Sequence, residues 1–498
     1  MNKRSRKRLQ KARGGDSKSK NDIVIRPALM CRTMRQTDMK KKRPWCGLAL
    51  PTADWNLHFQ KIAFRPQISL HSMKHPFQIL VADKSGEHLF ASVKNHLLAY
   101  RTSDGALIGS WEDDVDLQTV QEKKFKAKRE AEEKQRLANA EEPANKKAKT
   151  NKKEPKVPVP GPGAPTIYNY LRSLTLSRDE KHIIGTTDSD KAAVVFKIDY
   201  SQDNCIQLMK RQVFPKRPCA VLTTIDDTKI VLADKFGDVY EFGIDSEQPI
   251  PEKDLVPILG HVSMLSDVLV AEHNGQQFVL TGDRDEHIKV THYPLSYVVK
   301  HWLFGHREFV SCLHLPAFNK DLLISGGGDD YLLLWDWWAN KQLARVELRD
   351  LVEPHLTEAH FPPERFLQED SPKEICITKV LTVSKNGQNL ILVLCENTKC
   401  ILTFRIDNVF EVTFKQELLT ENTVVDMTLV GDKLFTAVDV DSDENLLEIY
   451  QLNDECFLEN QKSEITKTIT SANSCDVTGR EDVYPLYHIH SLRKRSEH

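Results

Sequence analysis

A spacing of 45 residues sets the tightest limit on what this chain can fold into. Gly260–His261 and Gly305–His306 stand that far apart, and the segments after them run in parallel. LGHVSMLSDVLV leads to FVLTGDRDEHIKVTHY, and FGHREFVSCLHL leads to DLLISGGGDDYLLLWDWW. In both, a strand-like run follows the Gly-His pair, a second enters an Asp-bearing turn, and a third leaves it. Short strands repeating every ~40–45 residues are the mark of propeller blades. Fainter copies flank this pair. TTDSDKAAVVFKID offers Asp190 in the turn with Phe196 further on, and VLADKFGDVYEF has Gly237 where the turn acid is expected. Further strand sets lie near 374–406 and 422–452, and a first set, FQILVAD, HLFASV and HLLAYR, occupies 77–111. The sum predicts an all-β chain, a seven-bladed β-propeller, whose closure leaves few exposed sheet edges.

The residue types inside the repeat have a structural task. His306, Ser325, Asp329 and Trp335 fall where a WD-repeat blade sets a buried hydrogen-bonded tetrad. Buried polar groups persist only when satisfied, so such a network fixes the register of a blade. The preceding repeat offers His261, Thr281 and Asp285, with Thr291 in place of the Trp.

Composition divides the rest. Residues 1–72 form a basic, irregular arm expected to be disordered, and Met73 before the first strand set is a candidate alternative start, with nothing ahead of it needed for the fold. Residues 73–112 read as the first blade. Residues 113–165 read as a charged, disordered loop insertion ending in VPVPGPGAP, tolerated because loop-closure cost rises only logarithmically with length. Its middle has helix-forming residues and i,i+4 charge pairs but no apolar face. Its lysine clusters at 146–149 and 152–156 suit either a nuclear import signal or a plain solvated loop. Residues 166–490 carry the remaining blades, and 491–498 a basic tail.

Several function classes drop out. With 69 Lys+Arg against 71 Asp+Glu the chain is no polycation, so nucleic acid would have to meet local patches. No apolar run nears the ~20 residues that span a bilayer, and the basic N-terminus lacks an apolar signal core, so neither membrane insertion nor secretion is expected. The 10 cysteines form no CxxC pair and sit mostly in apolar runs, as core thiols of a reducing compartment. Cys395 and Cys400 lack a second close pair, so no metal site is expected. The glycine run at 325–330 leads into a strand and lacks the helix N-terminus of a phosphate cradle. No catalytic constellation emerges, and no cofactor loop. What remains is surface. Asp283, Arg284, Glu286, His287 and Lys289 flank one turn, and Arg284, His287 and Lys289 are expected to reach solvent, as an ordinary charged rim or as a docking patch. At the C-terminus Tyr484 and Tyr487 precede Arg493, Lys494 and Arg495, which suits either RNA contact or a closing strand with a solvated tail.

At these residues the chain resembles a known family. VLADKFGDVYEF, ILGHVSMLSDV, TGDRDEHIKVTHYP, HWLFGHREFVS, GGGDDYLLLWDW and the tail YPLYHIHSLRKRSEH look like the fungal WD-repeat, non-catalytic subunit of tRNA (guanine-N7) methyltransferase. The likeness covers about 73–498. It implies a protein that forms a heterodimer with a separate catalytic subunit, which itself binds S-adenosylmethionine; the nucleus is the location expected from the lysine clusters. The pair methylates a guanosine in the tRNA variable loop, and tRNA is met through the complex. By the same resemblance Lys289 pairs with an acid of the catalytic subunit, an assignment extended to Arg284 and Asp283. The competing class is a general interaction scaffold, in ribosome assembly or as a ubiquitin-ligase adaptor, which rests on fold analogy alone.

Overall fold

The computed structural model describes residues 72–116, 168–246, 248–441 and 445–495, with scattered helical positions between 119 and 133. The basic arm before residue 72, both lysine clusters and the Pro/Gly run lie outside the described residues.

Seven four-stranded antiparallel sheets follow one another, each a meander in chain order. Blades 1 to 7 span 79–112, 171–213, 218–260, 265–303, 310–347, 377–419 and 423–460. The first strand of each blade lies beside the first strand of the next, and blade 7 returns to blade 1, so the ring closes. Second strands are buried along almost their whole length, as Leu322–Gly327 and Gln388–Cys395 illustrate. Each is covered on both faces by neighbouring blades, which is why these runs are continuously apolar and not alternating. Fourth strands such as Lys341–Glu347 and Val412–Leu419 are exposed or half-buried along nearly their whole length and carry charge. They are the outer edges, where charged side chains discourage pairing with other chains.

The core is divided among the seams between blades. Leu322, Ile324 and Leu332 of blade 5 meet Ile377, Ile391 and Phe404 of blade 6. At the closing seam Phe77, Leu89 and Tyr100 meet Phe435, Val438 and Ile449, joined by Ile469 of helix α1 (Glu464–Ala472). Each such Leu, Ile or Phe contributes ~1.5–3 kcal/mol on burial. Hydrogen bonds cross the seams as well. Ser266 Oγ donates to Val310 O and Ser311 Oγ to Ile377 O. Leu313 N donates to the Asp267 carboxylate at 2.7 Å, and Leu80 N to that of Asp426 at 2.8 Å. Seven described cysteines are buried, Cys395 and Cys400 among them, and Cys219 is half-buried.

Blade strands end at Asn460, short of the 490 read from the sequence. Beyond Asn460 the chain forms helix α1, a short strand Asp476–Val477, and an irregular segment to Arg495. Asp476–Val477 pairs antiparallel with Met73–Lys74 in a separate two-stranded sheet. His75 N donates to Cys475 O at 2.9 Å, and Asn473 Nδ2 to His75 O at 2.9 Å. Blade 7 therefore takes all its strands from one stretch of chain, and the start and end of the propeller are tied together beside its last seam.

Candidate protein-docking surface

In blade 5 the tetrad residues form one chain of hydrogen bonds. His306 Nδ1 lies 2.8 Å from Asp329 Oδ2, and its Nε2 lies 2.7 Å from Ser325 Oγ. Trp335 Nε1 donates to the same Ser325 Oγ at 2.9 Å. A neutral imidazole satisfies every atom: Nδ1–H donates to the carboxylate, Nε2 accepts from the hydroxyl, and the hydroxyl oxygen accepts from the indole. Burial, the largest single influence, would raise the Asp329 carboxyl, but the His306, Tyr331 and Arg307 contacts together outweigh it and the group is held below its usual range.

Blade 4 departs from the sequence reading. The acid that meets His261 is Asp283, not Asp285: His261 Nδ1 is 2.9 Å from Asp283 Oδ2, while Nε2 is 2.7 Å from Thr281 Oγ1. Asp283 Oδ1 also accepts the backbone N–H groups of Asp285, at 2.8 Å, and His287, at 3.0 Å. Asp283 closes strand Gln276–Asp283, and from there its carboxylate satisfies the turn two and four residues on. In blade 3 Asp234 closes its strand in the same way, accepting Phe236 N and Asp238 N. Counting four residues on from Thr281, as from Ser325 to Asp329, therefore selects the wrong carboxylate. Asp283 is buried and both its oxygens are engaged by His261 and the turn amides, so it offers no group for docking, contrary to that expectation. Asp285 instead accepts from Ser263 Oγ and pairs with Lys494, each at 2.5 Å.

Lys289 does not stand free at the rim as expected. It sits opposite Thr281 in the sheet and is 7% exposed. Its ammonium donates to Gly260 O at 2.8 Å and lies 5.3 Å from the centre of the Trp302 ring. Burial holds it below the ordinary lysine value. Trp302 approaches His261 edge-on at 5.4 Å, on the blade whose Thr291 replaces the tetrad Trp. Arg284 is half-buried, its Nε donating to Leu492 O at 2.6 Å, while Glu286 is exposed.

Around Lys289 lies an apolar surface that sequence reading did not single out. Phe304 is 67% exposed, 6.5 Å from Trp302 and 5.8 Å from His287. Val262 is fully exposed, and Phe236 is 55% exposed with Lys216 over its ring at 4.0 Å. The Phe236 turn packs directly on the Val262 loop. His261 N donates to Gly237 O at 2.8 Å, and a Cβ on Gly237 would stand 2.5 Å from His261 O, so only glycine fits. Exposed aromatics with a desolvated cation among them and charges at the margin have the make-up of a protein interface. The available signal was aromatic residues beside the Gly-His turns, Trp302 and Phe304 in HWLFGH among them.

The basic tail is likewise not free for RNA phosphates. Arg493 pairs with Glu308 at 2.8 Å, Lys494 with Asp285, and Arg495 with Glu374 at 2.6 Å. Tyr484 N donates to His75 Nε2 at 2.9 Å, and Tyr487 Oη to Asp439 at 3.1 Å.

Comparison with known proteins agrees with this fold and these motifs. The family model described as the tRNA methyltransferase TRM82 WD40 domain matches residues 89–256 and 244–455. The chain belongs to the TRM82 family. A relative in Debaryomyces hansenii, named tRNA (guanine-N(7)-)-methyltransferase non-catalytic subunit TRM82, is 55% identical over 86% of this chain and 100% of its own. Relatives of the same name in Meyerozyma guilliermondii and Saccharomyces cerevisiae are 48% and 38% identical, over 86% of this chain and 100% and 99% of theirs. The family likeness thus covers the propeller, and its members are named for a subunit without catalysis.

Proposed function

We propose that this chain docks the catalytic subunit of tRNA (guanine-N7) methyltransferase, one to one, through the surface formed by Phe236, Val262, Lys289, Trp302 and Phe304. The observation that carries the reading is Lys289. A desolvated ammonium with one carbonyl acceptor stands to gain most from a carboxylate brought by a partner. The apolar rings beside it would exclude water from that pair. Arg284 takes a supporting part, since its guanidinium is spent on the tail. In this reading S-adenosylmethionine and the reacting base belong to the catalytic subunit, and tRNA is met through the complex. The lysine clusters at 146–149 and 152–156 support a nuclear location.

The test is co-purification. Lys289→Glu is expected to cost ~2–5 kcal/mol of binding, enough to lose the partner on a column. Because it also sets a carboxylate against Gly260 O, some loss of propeller melting temperature is expected with it, and Lys289→Met, which keeps the apolar stem without the charge, is the paired variant expected to weaken binding with the far-UV spectrum of the wild type. Undiminished recovery of the catalytic subunit with Lys289→Glu would defeat the assignment. Diffuse fluorescence after replacing the lysines of both clusters would agree with import by that route, whereas unaltered nuclear signal would not.

A further inference from the structure

The segment after Val477 is a strap across one end of the propeller. It leaves the paired strand at the closing seam and meets the turns between second and third strands. Arg480 and Tyr487 bind Asp439 of blade 7. Ile489 N and His490 N donate to the Glu396 carboxylate of blade 6 at 2.7 and 2.8 Å. Arg493 donates to Gly328 O of blade 5 and to Ile375 O. The strap then ends on blade 4. Arg284 Nε donates to Leu492 O, Arg284 Nη2 reaches Arg493 O at 3.5 Å, and Lys494 binds Asp285.

That last contact falls on the turn that opens the docking surface. The turn runs from Asp283 to His287, and the strand carrying Lys289 begins at Ile288. From within, the Asp283 carboxylate holds this turn. From outside, the backbone carbonyls of the strap hold Arg284, and Lys494 holds Asp285, which in turn fixes Ser263 beside Val262. His287, whose ring meets both Trp302 and Phe304, is the last residue of the same turn. We infer that the C-terminal strap is a positioning element for partner docking, with Arg493 as its anchor and Lys494 and Arg284 as its couplings to the docking turn. Arg493 suits an anchor: its side chain is 12% exposed and lies between Glu308 and Glu374. The strap itself need touch no partner. It removes freedom from the turn before binding, and preorganisation of that kind appears as affinity. The inference rests on the docking reading above.

Two readouts on the full chain separate the two claims. Hydrogen exchange of the Asp285 and His287 amides reports the turn without any partner. Binding of the purified catalytic subunit, by calorimetry, reports docking. Arg493→Ala and the milder, surface Lys494→Glu are both expected to speed turn exchange and weaken binding, Arg493→Ala by about tenfold. Arg493→Lys should recover part of the loss, and the exchange Lys494→Glu with Asp285→Lys should recover the loss caused by Lys494→Glu. Turn amides unchanged in both single variants would overturn the inference, as would faster exchange with unchanged affinity. If Lys289→Glu binds the subunit as wild type does, the docking reading fails first and the inference with it.

Discussion

At the scale of single residues, two aspartates on neighbouring positions of one turn have opposite fates. Asp283 is buried and holds His261 and two backbone N–H groups; Asp285 lies at the surface with Lys494. Asp283→Ala leaves three donors unsatisfied and should cost at least ~1–3 kcal/mol in urea unfolding, whereas Asp285→Ala should stay within ~1 kcal/mol. Equal costs would contradict the assignment of the acid. A third aspartate carries a pH signature. Asp267 lies on the innermost strand of blade 4, where it receives backbone N–H bonds from Leu313 and Val268 among the described residues. Burial pushes its carboxyl up to about 7 from 3.8. The folded state therefore keeps a proton that the unfolded chain has released, so this group subtracts stability progressively as pH rises from about 4 to 7 and levels off above. Asp267→Asn keeps an acceptor and removes the charge. Its melting temperature should rise relative to wild type as pH is raised across that window, and a constant difference would refute the account. Asp426, which bonds the next blade in the same manner, has Lys379 Nζ 2.9 Å from both oxygens.

At the scale of elements, the closing seam is held differently from a seam sealed by a shared strand. Its cluster borrows Ile469 from helix α1, and its ends are tied by Met73–Lys74 on Asp476–Val477. Ile469 is completely buried, so Ile469→Ala should cost ~2–5 kcal/mol, as deletion at any other seam would. A cost under ~1 kcal/mol would mean that the helix is peripheral to closure. Elements were also where the sequence was most and least legible. The Gly-His period, the strand runs and the glycines placed seven blades, because each blade repeats one local pattern. The tetrad of blade 5 was legible for the same reason. The acid of blade 4 was not, because the hydrogen bonds depend on where the strand ends, which a count of residues does not fix. The strap is not legible in the sequence, which suits either an RNA contact or a closing strand with a solvated tail, because its partners Glu308, Glu374 and Glu396 lie about a hundred or more residues away in the chain. The burial of Lys289 depends on Trp302 in the next strand and on Gly260 at the end of the preceding blade.

At the scale of the whole molecule, the apolar surface is built mainly from blades 3 and 4, while the strap runs from the closing seam around to blade 4. A mutation at the seam can then be felt at the docking turn through one continuous segment. In the proposed reading the ring offers a catalytic subunit a surface to dock on, in keeping with a family whose members are named for a non-catalytic subunit. The most direct test is the N7-methylguanosine content of bulk tRNA, by nucleoside mass spectrometry, in cells that lack this chain. The account predicts that the nucleoside disappears, returns with the wild-type chain, and does not return with Lys289→Glu expressed at equal level. Methylation that persists without the chain would contradict the subunit role, and full rescue by Lys289→Glu would contradict the docking surface.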